Sequence, residues 1–276
     1  MNTQAGLFDR SVGATQHAST AVDPNPLVEL FRDPYLLAVH KPAGLLLHRS
    51  PIDRHETEFA LQYARALNGG EHVYPVHRLD RPTSGLLLFA RDPDTASVLG
   101  KAFMAGEVQK TYLALVRGWS AEAGLIDHPL REHAIDRRCK DDPQPMREAR
   151  SRFRRLATTE IPVRLEGYPS SRYSLVELYP ETGRKHQLRR HMQHIAHPII
   201  GDTNYGRTRH NHYFAERFGY SRLMLAATGM SFAHPVTGEP MTLRAEPDAS
   251  FTRVLSVFGE NLPPLPGGAG QDSAGP

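Results

Sequence analysis

The chain is expected to adopt an α+β fold, in which a mixed, largely antiparallel β-sheet carries flanking helices. Three observations lead there. Short apolar or alternating runs mark strands, as at residues 110–116, where Tyr112, Ala114 and Val116 fall on one face. Irregular connections join these runs, with no steady strand–helix alternation. Helical patterns with apolar residues at three- and four-residue steps occur only at intervals. With 276 residues the chain can form one large domain or two small ones. No internal repeat is present, and a single domain over residues 26–261 accounts for the pattern.

The elements follow in order. Residues 1–25 are rich in Ala, Ser, Thr and Gln without periodicity, and read as a disordered leader. An apolar run at 36–39 is closed by Lys41-Pro42-Ala43-Gly44, which gives a strand and a turn. Residues 56–67 place Phe59, Tyr63 and Leu67 on one helical face before Gly69-Gly70 stops it. Residues 86–90 read as a buried strand. Asp92-Pro93 supplies a cap and a first-turn proline, so a helix runs to Ala105 and ends at Gly106. Strands follow at 110–116, 150–158 and 173–179. The stretch 130–147 is charged and proline-bearing, as an exposed insertion would be. Glu181-Thr182-Gly183 makes a turn, and a helix over 185–196 sets Leu188, Met192 and Ile195 to one side. Strands at 230–232 and 241–243 flank Pro235-Val236-Thr237-Gly238 as a hairpin, and residues 250–258 close the domain as a helix. Residues 262–276, dominated by proline and glycine, read as a disordered tail.

Composition excludes several classes. No run approaches the roughly 20 apolar residues of a membrane span, and the start lacks a signal-peptide core. A single cysteine, Cys139, rules out an intramolecular disulfide and fits a reducing, cytoplasmic setting. The net charge of +3 is modest, but between Arg184 and Arg222 eight Lys/Arg stand against two acids, Asp202 and Glu216. Such a local surplus suits phosphate neutralisation. Nothing points to an obligate apolar interface, so a monomer is expected.

The chemistry concentrates in one segment, Val76-His77-Arg78-Leu79-Asp80-Arg81-Pro82-Thr83-Ser84-Gly85. A loop between two strands is well placed to present a reactive carboxylate. Arg78 and Arg81 flank Asp80 and favour its ionised form. From the residues alone, Asp80 as a turn cap flanked by solvated arginines is the stronger reading.

His-Arg-Leu-Asp-Arg-Pro-Thr-Ser-Gly-Leu-Leu-Leu resembles the signature of the large pseudouridine synthase family of the ribosomal large subunit synthase A type, in which the aspartate is the nucleophile. Two further segments stand in that family's order. Lys110-Thr111-Tyr112-Leu113-Ala114-Leu115-Val116-Arg117-Gly118 resembles its second motif, whose tyrosine packs on the target base. Thr182-Gly183-Arg184-Lys185-His186-Gln187-Leu188-Arg189-Arg190-His191 resembles its third, whose arginine pairs with the nucleophile. His197-Pro198-Ile199-Ile200-Gly201-Asp202 is similar to the segment that follows. The resemblance covers about residues 36–243 and is greatest to a branch that modifies tRNA, on the further strength of Leu47-His48-Arg49-Ser50 and Arg222-Leu223-Met224-Leu225. It differs where that branch has histidine after Met-Leu and this chain has Ala226. No S4-type RNA-binding domain is expected ahead of the catalytic part.

The resemblance implies catalytic roles for Asp80, Tyr112 and Arg189, and substrate-binding roles for Arg78, Lys110, Arg184, His186, Gln187 and Leu225. It implies tRNA as partner, at uridine 65 in the acceptor/T-stem region, with ribosomal RNA as the alternative. Isomerising uridine breaks N1–C1′, turns the base and joins C5 to C1′. No redox change occurs and no group is imported, so no cofactor and no metal are expected. A carboxylate suffices as nucleophile, or as base and stabiliser of a sugar cation. A metal hydrolase reading of His186, His191, His194, His197 and Asp202 fails on spacing and on the missing glutamate base. A non-catalytic RNA-binding module would account for the basic stretch but not for an Asp–Tyr–Arg set.

Overall fold

The computed structural model describes residues 25–48, 55–131, 145–219 and 221–265. The strands are β1 (Val28–Arg32), β2 (Leu36–Lys41), β3 (Tyr74–Pro75), β4 (Ser84–Ala90), β5 (Gln109–Arg117), β6 (Ala123–Asp127), β7 (Leu130–Arg131), β8 (Met146–Arg147), β9 (Arg150–Ile161), β10 (Ser171–Pro180), β11 (Leu225–Ala233) and β12 (Pro240–Arg244). The helices are α1 (Ala60–Leu67), α2 (Pro93–Ala105), α3 (Gln187–His194), α4 (Thr208–Phe218) and α5 (Ala249–Leu255), the last running into a 3₁₀ turn at Ser256–Asn261.

One ten-stranded sheet organises these elements in the order β1-β2-β4-β11-β5-β10-β9-β6, with β3 beside β4 and β12 beside β11. The expected antiparallel character holds at every junction of this sheet except β4 with β11, which run parallel. That junction is short, pairing Ala226 with Ser84 and Ala227 with Gly85. Gly85 is required there. Its φ is +105°, and a Cβ would lie 2.1 Å from the Ala227 carbonyl oxygen.

The core divides at this junction. One half packs α3, α4 and α5 on β5, β10 and β11 through residues such as Leu115, Tyr173, Phe214 and Phe251. The other packs α1 and α2 on β2 and β4 through Leu37, Leu87, Phe89 and Leu99. Tyr112 touches both halves. The site described below opens over this seam.

Local differences from the sequence reading have local causes. Helix α1 begins at Ala60 instead of residue 56, because extended Phe59 serves as its cap and its N–H donates to Gln62 Oε1 at 3.1 Å. Helix α3 begins at Gln187, since His186 before it is left-handed (φ 56°), and it ends early because Ala196 is left-handed too. Helix α2 has the expected bounds: Asp92 Oδ1 accepts from Thr95 N at 2.8 Å, and Gly106 takes the left-handed C-cap.

Helix α4 and the edge strands β1 and β6 were not anticipated. In α4 the burial falls on His210, Phe214 and Phe218 amid Arg, His and Asn, a thin apolar stripe. Packing continues past Asn261, where Leu262 and Leu265 lie against the core. Asn25 is tied in, its side chain donating to the Tyr63 carbonyl. Strands β7 and β8 pair across the base of the expected insertion, with Leu130 buried. The middle of that insertion, Cys139, Arg49, Ser50 and residues 1–24 fall outside the described residues.

Candidate active site

Asp80 sits in the short connection between β3 and β4. Its carbonyl accepts from Thr83 N at 3.0 Å, which tightens the loop into a turn. Beneath it lies Lys41, fully buried at the end of β2, whose Nζ donates to the carbonyls of Pro42, Leu45 and Arg81 at 2.8, 2.9 and 3.2 Å. Burial pushes this amine down to about 7, with Asp80 working in the opposite sense. Arg81 was expected to support the ionised Asp80. Its guanidinium instead pairs with Glu56 at 2.7 Å and donates to the Gly44 carbonyl at 3.0 Å. His77 stays neutral, its imidazole pushed down to about 3 by burial and by Lys110. Its Nε2 accepts from Leu88 N at 2.9 Å, and its ring stacks on Phe103 of α2. The Asp80 loop is thereby pinned to both β4 and α2.

Arg189 reaches Asp80 from the first turn of α3. Nη1 lies 3.4 Å from Asp80 Oδ2, across 109 residues of sequence. Its shorter bonds go elsewhere: Nε and Nη2 donate to Asp202 Oδ2 and Oδ1 at 2.6 and 2.8 Å. Both residues are buried. Burial opposes charge on each, but their pairing prevails, holding the guanidinium above its usual range and the Asp202 carboxyl below. Asp202 also accepts from the amides of Asn204 and Tyr205. The Tyr205 hydroxyl lies 3.0 Å from His186 Nδ1, and His186 Nε2 lies 3.9 Å from Asp80 Oδ2.

All nine anticipated residues line one cleft of about 780 Å³: Arg78, Asp80, Lys110, Tyr112, Arg184, His186, Gln187, Arg189 and Leu225. They differ in what they offer it. Tyr112 keeps its hydroxyl protonated, burial and then Asp80 pushing its ionisation well above the usual range. Lys110 is half-buried, and burial lowers its amine. Arg184 is exposed and anchored by one bond from Nε to the Glu148 carbonyl. Leu225 gives an apolar floor. Gln187 lines the cleft with its amide engaged inside the protein. Its Oε1 accepts from Thr182 Oγ1 and Arg184 N, and its Nε2 donates to the Arg150 carbonyl and Ser151 Oγ. An amide offers two acceptor and two donor positions, so Gln187 is spent as a brace for the turn before α3.

The other histidines weighed as metal ligands diverge. His191 lies between Ser151 Oγ and the His128 carbonyl, His194 stacks on His128, and His197 donates to the Arg117 carbonyl.

The sequence reading gave no role to Tyr205, Lys41 or the end of α2, and offered Asp202 only as a metal ligand. Asp202 and Lys41 stand in readable segments, Gly201-Asp202 and Lys41-Pro42-Ala43-Gly44, but nothing local says which side chain each will meet. Phe103, Met104 and Gly106 form one wall of the cleft. They read in sequence only as the end of a helix.

Electrostatically the cleft is basic. Arg78, Lys110, Arg184, Lys185 and Arg189 face two carboxylates, and one of those, Glu181, is already paired with Arg152 at 2.5 Å. The side chains of Arg78, Lys110 and Lys185 make no ion pair or hydrogen bond among the described residues. A carboxylate–arginine pair at the cleft wall, an aromatic ring and open cations suit a flipped base attached to a phosphate backbone.

Comparison with known proteins agrees with this geometry. Residues 35–194 match the family model described as RNA pseudouridylate synthase. The chain is 48% identical to tRNA pseudouridine synthase C of Pasteurella multocida (strain Pm70) over 236 residues, 84% of this chain and 96% of that protein. It is 47% identical to tRNA pseudouridine synthase C of Vibrio cholerae serotype O1 over 233 residues, 83% of this chain and 95% of that one. Among solved structures, Human RNA Pseudouridylate Synthase Domain Containing 4 superposes with a TM-score of 0.63 at 25% identity, covering 84% of this chain and 92% of that one. A cleft of this kind, on this sheet, with these relatives leads to one assignment: the chain belongs to the RNA pseudouridylate synthase family.

Proposed function

We propose that this protein isomerises uridine to pseudouridine in tRNA, at uridine 65 in the acceptor/T-stem region, with Asp80 as the reacting carboxylate. One observation carries the proposal above the rest: Asp80 and Arg189, 109 residues apart, meet at 3.4 Å in a cleft that Tyr112 also lines. A binding module has no use for such a convergence. The tRNA substrate is supported by relatives of 48% and 47% identity that bear the name tRNA pseudouridine synthase C. Tyr112 presents its ring to the flipped base. Arg78, Lys110 and Arg184 neutralise the flanking phosphates. The chemistry asks for no redox partner and no imported group, so the protein's own side chains suffice.

Asp80→Asn tests the assignment. The variant should bind tRNA with near wild-type affinity, yet release no tritium from C5 of a labelled transcript. Tritium release at the wild-type rate would overturn the role of Asp80. Pseudouridine profiling of total RNA, with and without the protein, tests the substrate: the expected difference is one site, in tRNA. A difference confined to ribosomal RNA would replace the tRNA reading.

A further inference from the structure

Arg189 is expected from sequence to belong to Asp80. It does reach Asp80, but its shorter bonds go to a second carboxylate. Two of its N–H groups sit on Asp202 at 2.6 and 2.8 Å, and a single Nη1 reaches Asp80 at 3.4 Å. The Asp202 side chain is 0% exposed, while that of Asp80 is 17% exposed and opens to the cleft. Asp202 is itself fixed from several directions. Its carboxylate accepts two backbone amides, and its carbonyl accepts from Gly206 N and from Asn211 Nδ2. Asn211 Oδ1 in turn accepts from Gly201 N. The Tyr205 ring closes over the guanidinium, 5.2 Å from its Cζ.

We propose that Asp202 is a positioning residue for the reaction: it anchors Arg189 as a two-pronged fork, leaving Nη1 aimed at the cleft so that Asp80 can leave the arginine for the ribose without disordering it. This rests on the reading of Asp80 as the reacting carboxylate. The physical reason is a hierarchy of bonds. A planar guanidinium held bidentately by a buried carboxylate has one orientation. The remaining long contact to Asp80 is then cheap to break and remake as substrate enters. A fixed cation costs no reorganisation when charge develops beside it.

The test separates anchoring from activity. In wild-type protein the Arg189 Nε–H, buried on Asp202, should give a slowly exchanging guanidinium Nε–H signal by ¹⁵N NMR. Asp80→Asn should keep that signal while losing turnover. Asp202→Asn should lose the signal and lower kcat on the order of 100-fold through misplacement, with KM little changed. In an Arg189→Ala background Asp202→Asn should add no further loss of kcat. Loss of the signal in Asp80→Asn would overturn the proposal, even if Asp202→Asn failed to fold. So would an Asp202→Asn enzyme with wild-type kcat, or one whose loss lay wholly in KM. Turnover retained by Asp80→Asn with the signal intact would fault the assignment of Asp80, leaving the anchoring untouched.

Discussion

Tyr112 illustrates what one side chain gains from its surroundings. In sequence it is an aromatic on an alternating strand, as fit for a core as for a site. In the fold it bridges both halves of the core and lines the cleft beside Asp80. Burial and the neighbouring carboxylate both disfavour a phenolate, so the hydroxyl stays protonated above its ordinary range. On the proposed assignment, Tyr112 would meet the flipped base as a ring with a protonated hydroxyl, not as a base titrating near neutrality. The pH dependence of kcat checks this. Wild type and Tyr112→Phe should share the same profile between about pH 6 and 10, since an unperturbed tyrosine titrates near 10 and this one higher. An alkaline limb in the wild type that disappears in Tyr112→Phe would show that the hydroxyl ionises during turnover.

Elements with terminal chemistry in the sequence were legible to the residue. Helix α2 carries its start in Asp92-Pro93 and its stop in Gly106. The three site segments were likewise legible as contiguous stretches. Partnerships between elements were legible only through the family resemblance, which pairs Arg189 with Asp80; the fork of Arg189 on Asp202 was not, since it depends on how a loop folds back over α3. Nor did any periodicity reveal β6, whose burial pattern has one buried residue in five. Gly85 lies between these cases. It reads as part of a turn, but its role comes from the parallel contact of β4 with β11. Gly85→Ala would combine a forbidden φ with a Cβ 2.1 Å from the Ala227 oxygen. Nothing flexible is available to yield, because the clashing atom is backbone. The substitution should cost more than about 4 kcal/mol, among the largest single-residue effects. Urea unfolding monitored by circular dichroism would measure it, and a loss under about 1 kcal/mol would mean that the two strands can part cheaply.

The two halves of the molecule are joined across the same seam by Arg222, which stands just before β11. Its Nη2 donates to Ser84 Oγ at 2.7 Å, and Nη1 meets both Asp248 oxygens at 2.6 Å. Ser84 opens β4, directly after the Asp80 loop, and Asp248 caps α5 by accepting from Phe251 N at 3.0 Å. Burial alone would raise the Asp248 carboxyl, but Arg222, Ser250 and that amide hold it well below the usual carboxylate range. The sign of the linkage follows. A carboxylate depressed in the folded state contributes stability that is fully present above its unfolded value, about 3.9, and is lost as pH falls through the folded value. Asp202 is depressed in the same sense and adds to the same acid loss. Asp248→Asn should therefore lower stability at pH 7 by roughly 2–3 kcal/mol, somewhat less than a fully buried pair would lose, since the Asp248 side chain is 25% exposed. Below pH 4 its Tm should fall less steeply than that of the wild type, with the Asp202 contribution remaining. Parallel Tm–pH curves for the two proteins would show that the Arg222 junction does not carry this share of the acid response. Because the junction holds β4 and so the base of the Asp80 loop, Asp248→Asn should also lower the temperature at which activity is lost at pH 7, with the gap to wild type closing as pH falls.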